Sequence, residues 1–215
     1  MDNQYYIEHI NNYKGYILIN KDYKYIIYTI HKNMSTKLRN EIKNKYKINK
    51  TNKYRRFKEI MNSIDLENDK IIKELNNQNI ENIPKIAFVR NPINRLISLF
   101  FYFKNLKISK KLQIFENTNI NDWIINYFSK NFKEIKKYAN NHFDTQTSFI
   151  FFNKKPIPQE IIKIENINYN KLKEYNIELS QNEINKSKKE PIELSEESIN
   201  IIKKTYKHDF YNFKY

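Results

Sequence analysis

Two short stretches of this sequence concentrate groups able to hold anions. The first, His31-Lys32-Asn33-Met34-Ser35-Thr36, follows an apolar run ending at Ile30 and precedes a helical pattern. One lysine, two hydroxyls and the N–H groups at a helix start would suit one phosphate or sulfate. The spacing is not GxxxxGK[ST], so it does not point to ATP with magnesium. The plainer alternative is a solvated lysine, with Ser35 or Thr36 as an ordinary helix cap. The second stretch starts at Arg90, which leaves the apolar run Lys85–Val89, and continues to Arg95 and Ser98. A guanidinium with a hydroxyl two turns further on would suit a second phosphate through paired hydrogen bonds. Arg95 is equally readable as a surface or ion-pair residue.

Such groups need elements that present them. The run "YILIN-KD-YKYIIYTI" reads as two strands about a Lys21-Asp22 turn, the second spanning Tyr23 to Ile30. A helix follows, capped by Ser35 or Thr36, with Leu38, Ile42 and Tyr46 on one face at spacing four. Residues 47–57 read as a polar, basic loop, followed by short helices in "FKEIMNSI" and "DKIIKELNN". "KIAFV" reads as a buried strand of a parallel sheet. Asn91 then suits a helix N-cap and Pro92 the first helical position. Ile93, Leu96, Ile97, Phe100 and Phe101 recur with helical period as an apolar face. "INDWIINYFSKNF" reads as a helix capped by Asn121 or Asp122, and "TSFIFF" and "EIIKIE" as strands. "LSEESINIIKKTYKHDF" reads as a last helix capped by Ser195, with Glu196 and Glu197 favoured in its first turn.

Strands alternating with helices predict an α/β three-layer sandwich with a central, mainly parallel sheet and a P-loop-like strand-loop-helix. Ligands in such sheets bind at the carboxyl ends of strands, where both anion-binding stretches fall. The length of 215 residues suits one domain, with a core over about 23–215 and residues 1–22 as an N-terminal strand or extension. No Pro/Gly/Ser-rich linker divides the chain. With 39 Lys and Arg against 24 Asp and Glu, the charge of +15 favours anionic partners without choosing among them. The absence of cysteine excludes disulfides and thiolate metal sites. No leader pattern opens the sequence and no apolar run is long enough to span a membrane, so the expectation is a soluble, cytoplasmic protein. No metal is implied.

In combination the motifs resemble those of the PAPS-dependent sulfotransferases, in particular the carbohydrate (sulfotransferase-2 type) group. "IHKNMSTKLRN" looks like that family's 5′-phosphosulfate loop, and "IAFVRNPINRLISLFFYF" is similar to its 3′-phosphate loop, F-x-F-V-R-[ND]-P-x-x-R-L-x-S-x-[YF]. "HFDTQTSFI" resembles its H-[FW]-x-x-Q segment, "IIKIENI" its strand ending in Glu-Asn, and "YKHDFYNFKY" its tail. The resemblance runs from about Lys24 to Tyr215. It implies sulfuryl transfer from PAPS (3′-phosphoadenosine 5′-phosphosulfate) to a hydroxyl of a carbohydrate or glycoconjugate. It further implies Lys32, Asn33, Ser35 and Thr36 on the phosphosulfate, and Arg90 and Ser98 on the 3′-phosphate. The first loop departs from the family's P-K-x-[AG]-[GSC]-T: His31 stands for the proline and Met34 for the small residue.

In-line sulfuryl transfer needs charge stabilisation on the leaving oxygen, for which Lys32 is the natural group, and a base for the acceptor hydroxyl. Many relatives carry a histidine or glutamate between the two loops. Here Glu59 lies in that interval, His142 sits in a family-like motif, and His31 adjoins Lys32. The sequence leaves the choice open. "KTNKYRRFK" could form an acceptor edge of cations and aromatic rings, or simply a solvated basic loop. Two further classes stay in view: a non-catalytic nucleotide- or glycan-binding relative, and a basic nucleic-acid-binding module, which the ordered series of motifs argues against.

Overall fold

The computed structural model describes residues 3–43, 45–48, 69–105, 118–139, 141–181 and 192–215. In chain order its elements begin α1 (Asn3–Asn12), β1 (Tyr16–Asn20), β2 (Ile26–Thr29), α2 (Ser35–Glu41), β3 (Lys45–Ile48), α3 (69–76), β4 (Lys85–Val89) and α4 (Pro92–Asn105). Next come α5 (Ile120–Asp122), a π-helical stretch Trp123–Phe128 and α6 (Ser129–Tyr138). The remainder is α7 (Thr147–Ile150), β5 (Phe151–Phe152), β6 (Lys155–Pro156), β7 (Glu160–Lys163), α8 (Tyr169–Glu174), α9 (Glu196–Thr205) and α10 (Lys207–Phe213). Two compact units emerge, the first from Met1–Val89 with Ser148–Asn182, the second from Arg90–Thr147 with Glu183–Tyr215.

The first unit is built on a five-stranded sheet in the order β3-β1-β2-β4-β7, in which β1 alone runs against the other four strands. This is a mixed α/β unit with a mostly parallel sheet. Every residue of β2 and β4 is buried, as strands covered on both faces must be. Leu18, Ile27, Ile86, Phe88 and Ile162 supply one face, against which Leu38 and Ile42 of the α2 region and Leu172 and Ile177 of the α8 region pack. On the alternate residues Tyr28 meets the His9 ring of α1 at 5.1 Å. Gly15, the only glycine of the chain, stands before β1, where a Cβ would lie 2.3 Å from the Thr29 carbonyl oxygen. Left-handed backbone therefore falls to other residues: Asn153 and Lys154 both take positive φ and close the β5–β6 hairpin with the handedness its twist requires.

The second unit is helical among its described residues. Leu96, Leu99, Phe100 and Phe103 of α4 share a core with Trp123, Ile124 and Phe128 of the π-helical stretch, Ile135 of α6, Phe143, Ile202 and Tyr206. Ile93, Ile97 and Phe101 pack against that core while partly exposed, so the buried face of α4 lies one residue round from the predicted one and takes in Arg95.

Two expected caps are present, and several element bounds differ from those expected. Asn91 accepts the Ile93 amide at 2.9 Å ahead of Pro92, and Ser195 Oγ accepts the Ser198 amide at 3.2 Å, both as expected of caps. Residues 3–12 form a helix with Tyr6, Ile7, His9 and Ile10 buried, and β1 lies inside the sheet. β2 starts at Ile26 instead of Tyr23. The Asn20 side chain accepts the Asp22 and Lys24 amides and Tyr23 takes φ 56°, which consumes these residues in the turn. The helix after the first loop ends at Glu41: Ile42 is extended and the chain turns into β3, which pairs with β1, so Tyr46 belongs to a strand. Asn119, not Asn121 or Asp122, caps α5 by accepting the Asp122 amide at 2.9 Å, while Asn121 bridges to Glu193 and Ser195. "TSFIFF" opens with a helical turn, and the last helix breaks at Tyr206 into α9 and α10.

Candidate functional site

The first candidate stretch, His31 to Thr36, is a tight loop of the first unit. Lys32 and Met34 both adopt left-handed backbone, φ 67° and 60°, between Ile30 and the start of α2. Non-glycine residues take this conformation only when surroundings impose it. Here the surroundings are identifiable. Asn33 is fully buried, its amide N–H bonds the Ile30 carbonyl at 3.1 Å, and its side-chain Nδ2 donates to the Phe88 carbonyl at 3.0 Å. β2 and β4 are parallel neighbours, so this bond fastens the loop after β2 to the matching end of β4. Met34, partly buried, packs against the apolar cluster of Leu38 and Ile42. Its backbone holds the cap position with no side-chain cap, so neither Ser35 nor Thr36 is the predicted N-cap; Ser35 is the first residue of the helix.

The helix that carries Ser35 and Thr36 has only seven residues and depends on tertiary anchors. Lys37 Nζ donates to the Ser180 carbonyl at 2.5 Å, and Glu41 accepts the Ser180 amide and hydroxyl at 2.8 and 3.0 Å. Arg39 reaches back one turn, donating to the Ser35 carbonyl at 3.1 Å and the Thr36 hydroxyl at 3.3 Å, with its guanidinium 4.6 Å from the Tyr16 ring centre. Arg39 is thus a second cation beside the loop, missed by sequence reasoning although its i+3 and i+4 spacing offers the signal. His31 is half-buried with its ring edge-on to Phe149 at 6.0 Å.

The second stretch opens the second unit. Arg90, the residue that follows β4, is gripped on both backbone sides by one side chain: its N–H donates to Gln146 Oε1 at 2.8 Å, and Gln146 Nε2 donates to its carbonyl at 2.7 Å. Gln146 is fully buried and is anchored in turn by Asp209 of α10. Ser98 lies half-buried two turns along α4. Arg95 is no surface arginine: it is 1% exposed and donates to the Asp144 and His142 carbonyls, each at 2.8 Å. Burial lowers its pKa and the nearby Tyr206, Asp209 and Asp144 oppose that shift.

Arg95 thereby holds the loop of His142. The His142 ring stacks on Tyr102 of α4 at 5.8 Å with 14° between planes, and Phe103 meets it edge-on. Its Nδ1 lies 2.6 Å from the Ala139 carbonyl, which fixes the proton on Nδ1 and the lone pair of the neutral ring on Nε2. Glu59 and the "KTNKYRRFK" stretch lie outside the described residues. Glu165 is exposed on the 3-10 turn Ile164–Asn166 that follows β7. The structure therefore groups Lys32, Asn33, Ser35 and Thr36 in one unit, and Arg90, Ser98 and His142 in the other. Gln146 was legible as part of a motif, but its role depends on a contact spanning 56 residues.

No group of His, Cys, Asp and Glu among the described residues could hold a metal ion, and no described helix is long and apolar enough to cross a membrane. Compared with known proteins, the chain matches no family model, no curated protein and no solved structure.

Proposed function

We propose that this chain is a PAPS-dependent sulfotransferase that moves a sulfuryl group to a hydroxyl of a carbohydrate or glycoconjugate. The chief support is the Asn33 amide, which fastens the Lys32 loop to the Phe88 carbonyl, two residues before Arg90 in the chain. Strand ends of parallel sheets are where α/β proteins bind nucleotides. In this proposal the sheet is the centre of a three-layer sandwich, and β2, its loop and α2 are the counterpart of a phosphate-binding loop. Lys32, Asn33, Ser35 and Thr36 take the 5′-phosphosulfate, Asn33 through its setting of the loop. Arg90 and Ser98 take the 3′-phosphate. The contact of partly buried Met34 with the apolar cluster supports the same assignment, since the bulk that replaces the family's small residue finds apolar neighbours.

PAPS supplies the sulfuryl group. Lys32 offsets charge on the bridging oxygen as the S–O bond breaks and 3′,5′-ADP departs. His142 Nε2 receives the acceptor hydroxyl's proton as the new O–S bond forms, its tautomer set by the Nδ1–H bond to Ala139. Thermal unfolding with 3′,5′-ADP tests the proposal, with 5′-AMP as control. At about 100-fold excess over Kd, binding adds roughly 2.7 kcal/mol, or about 5–10 °C. Arg90→Ala is expected to abolish the shift. No shift with 3′,5′-ADP, together with tight and steeply salt-dependent binding to any polynucleotide, would replace this assignment with a nucleic-acid-binding one.

A further inference from the structure

We infer that Gln146 and Asp209 are positioning residues for the 3′-phosphate, acting through the backbone of Arg90; this rests on the nucleotide assignment above. The chain of contacts is short, and both of its linking side chains, Gln146 and Asp209, are buried. Asp209 Oδ2 accepts the Gln146 amide at 2.8 Å, and Oδ1 accepts both the amide and the hydroxyl of Thr147 at 2.8 Å. Asn212 Nδ2 completes the cluster by donating to the Thr147 hydroxyl at 3.1 Å. Both Asp209 and Gln146 are 0% exposed, so their hydrogen bonds form in surroundings where an unmade one is costly.

Gln146 then satisfies the Arg90 amide and carbonyl at once. This is the pairing that a neighbouring strand would give, supplied here by one side chain at the point where Val89 ends β4. A primary amide is suited to it, because the same planar group offers one donor and one acceptor side by side. The arginine side chain projects from a backbone fixed on both sides, so its guanidinium loses less freedom on meeting a phosphate. The C-terminal helix α10 thus reaches the anion-binding arginine in two steps, from Asp209 to Gln146 and from Gln146 to Arg90. A carboxylate at residue 146 would lose the donor and set an oxygen against the Arg90 carbonyl.

The test measures 3′,5′-ADP and adenosine 5′-phosphosulfate binding to the full chain by calorimetry, for the unaltered protein and for Gln146→Ala, Gln146→Glu and Arg90→Ala. Loss of two hydrogen bonds to Arg90 is expected to weaken 3′,5′-ADP about tenfold. Adenosine 5′-phosphosulfate, which lacks the 3′-phosphate, should be affected less than threefold. In an Arg90→Ala background the added Gln146→Ala change should cost nothing further, since its target is gone. Thermal unfolding of each variant without ligand separates folding from positioning, and Gln146→Glu, close in size and shape, serves if Gln146→Ala does not fold. Equal weakening of both nucleotides, or additive losses with Arg90→Ala, would overturn the inference while leaving the nucleotide assignment intact. Failure of the unaltered chain to bind 3′,5′-ADP would instead sink that assignment, and this inference with it.

Discussion

The two units differ in how far their buried polar groups are linked to one another. In the first, several buried polar side chains answer directly to backbone carbonyls, with no second side chain between: Asn33 to Phe88, His9 to Phe149, and Lys85 to Ile80 and Ile83. In the second they are wired together, with Asp209 holding Gln146 and Thr147, Gln146 holding Arg90, and Arg95 holding the His142–Asp144 loop. Single anchors fix one loop each and fail one at a time. A connected network fixes several groups at once and fails as a whole. The first unit can use single anchors because its sheet already satisfies most of its backbone. The described second unit has no sheet, and its loops obtain their hydrogen bonds from buried side chains instead.

The largest effect expected from this contrast is at Asp209. Asp209→Ala would leave the Gln146 and Thr147 amides and the Thr147 hydroxyl without their buried acceptor, and remove a charge that favours buried Arg95. The expected loss is about 3–5 kcal/mol, comparable with breaking a buried charge pair, read as a fall in the denaturant midpoint. Gln146→Ala should cost less, and the double variant less than the sum of the two. Strict additivity would mean that the network is only a set of separate bonds.

That wiring is also what the sequence could not disclose. β4 and α4 were legible because their signals are local: an apolar run, then Asn91 and Pro92 at successive positions. The start of β2 was misplaced because a side chain before the turn, Asn20, captures two amides within it. The end of α2 was misplaced because the pull on the next residues comes from β1, reached through the pairing of Ile19 with Tyr46. Of the candidate site residues, Lys32 and Arg90 are visible in the sequence as charges after strands. What holds them is not, because Asn33 reaches over 55 residues, Gln146 over 56 and Asp209 over 63. Asparagine is so common in this chain that its presence alone carries no signal, and nothing in the neighbouring residues marks Gln146 or Asp209 as reaching so far.

Acid should single out the first unit through one residue. His9 is 4% exposed among the rings of Tyr13, Tyr28 and Phe152, and it bonds the Phe149 carbonyl through Nε2. A proton added at Nδ1 would enter this ring cluster, where Nδ1 has no hydrogen-bond partner among the described residues. Burial accordingly lowers the pKa from 6.5 to about 4. The unfolded chain then binds more protons between those two values, so stability falls as pH drops from about 6.5 to 4. At roughly 1.4 kcal/mol per pK unit the full loss is about 3 kcal/mol. Urea unfolding of the unaltered chain and of His9→Phe at pH 7 and pH 4.5 isolates this contribution from that of the carboxylates. Their difference should move by about 2 kcal/mol in favour of His9→Phe at the lower pH; parallel behaviour would show that His9 titrates normally.

The smallest expected effect decides whether single anchors are truly single. Asn33→Ala removes the donor to the Phe88 carbonyl at the end of β4 and should cost about 1–3 kcal/mol. Asn33 and His9 serve different carbonyls on different segments, so Asn33→Ala with His9→Phe should lose the sum of the two effects to within about 0.5 kcal/mol at pH 7. The Gln146→Ala and Asp209→Ala pair should depart from its sum by more than that. Equal departures in both pairs would erase the contrast between the units. Asn33→Ala also carries a second readout. It frees the backbone of Lys32 and Met34 from the tether opposing their return to ordinary φ values, so protection of the Ile30–Thr36 amides from hydrogen exchange should collapse there. The strands on either side should stay protected. Uniform loss across β2 and β4 would mean that the loop and the sheet open together, and that the bond from Asn33 belongs to the sheet's own stability.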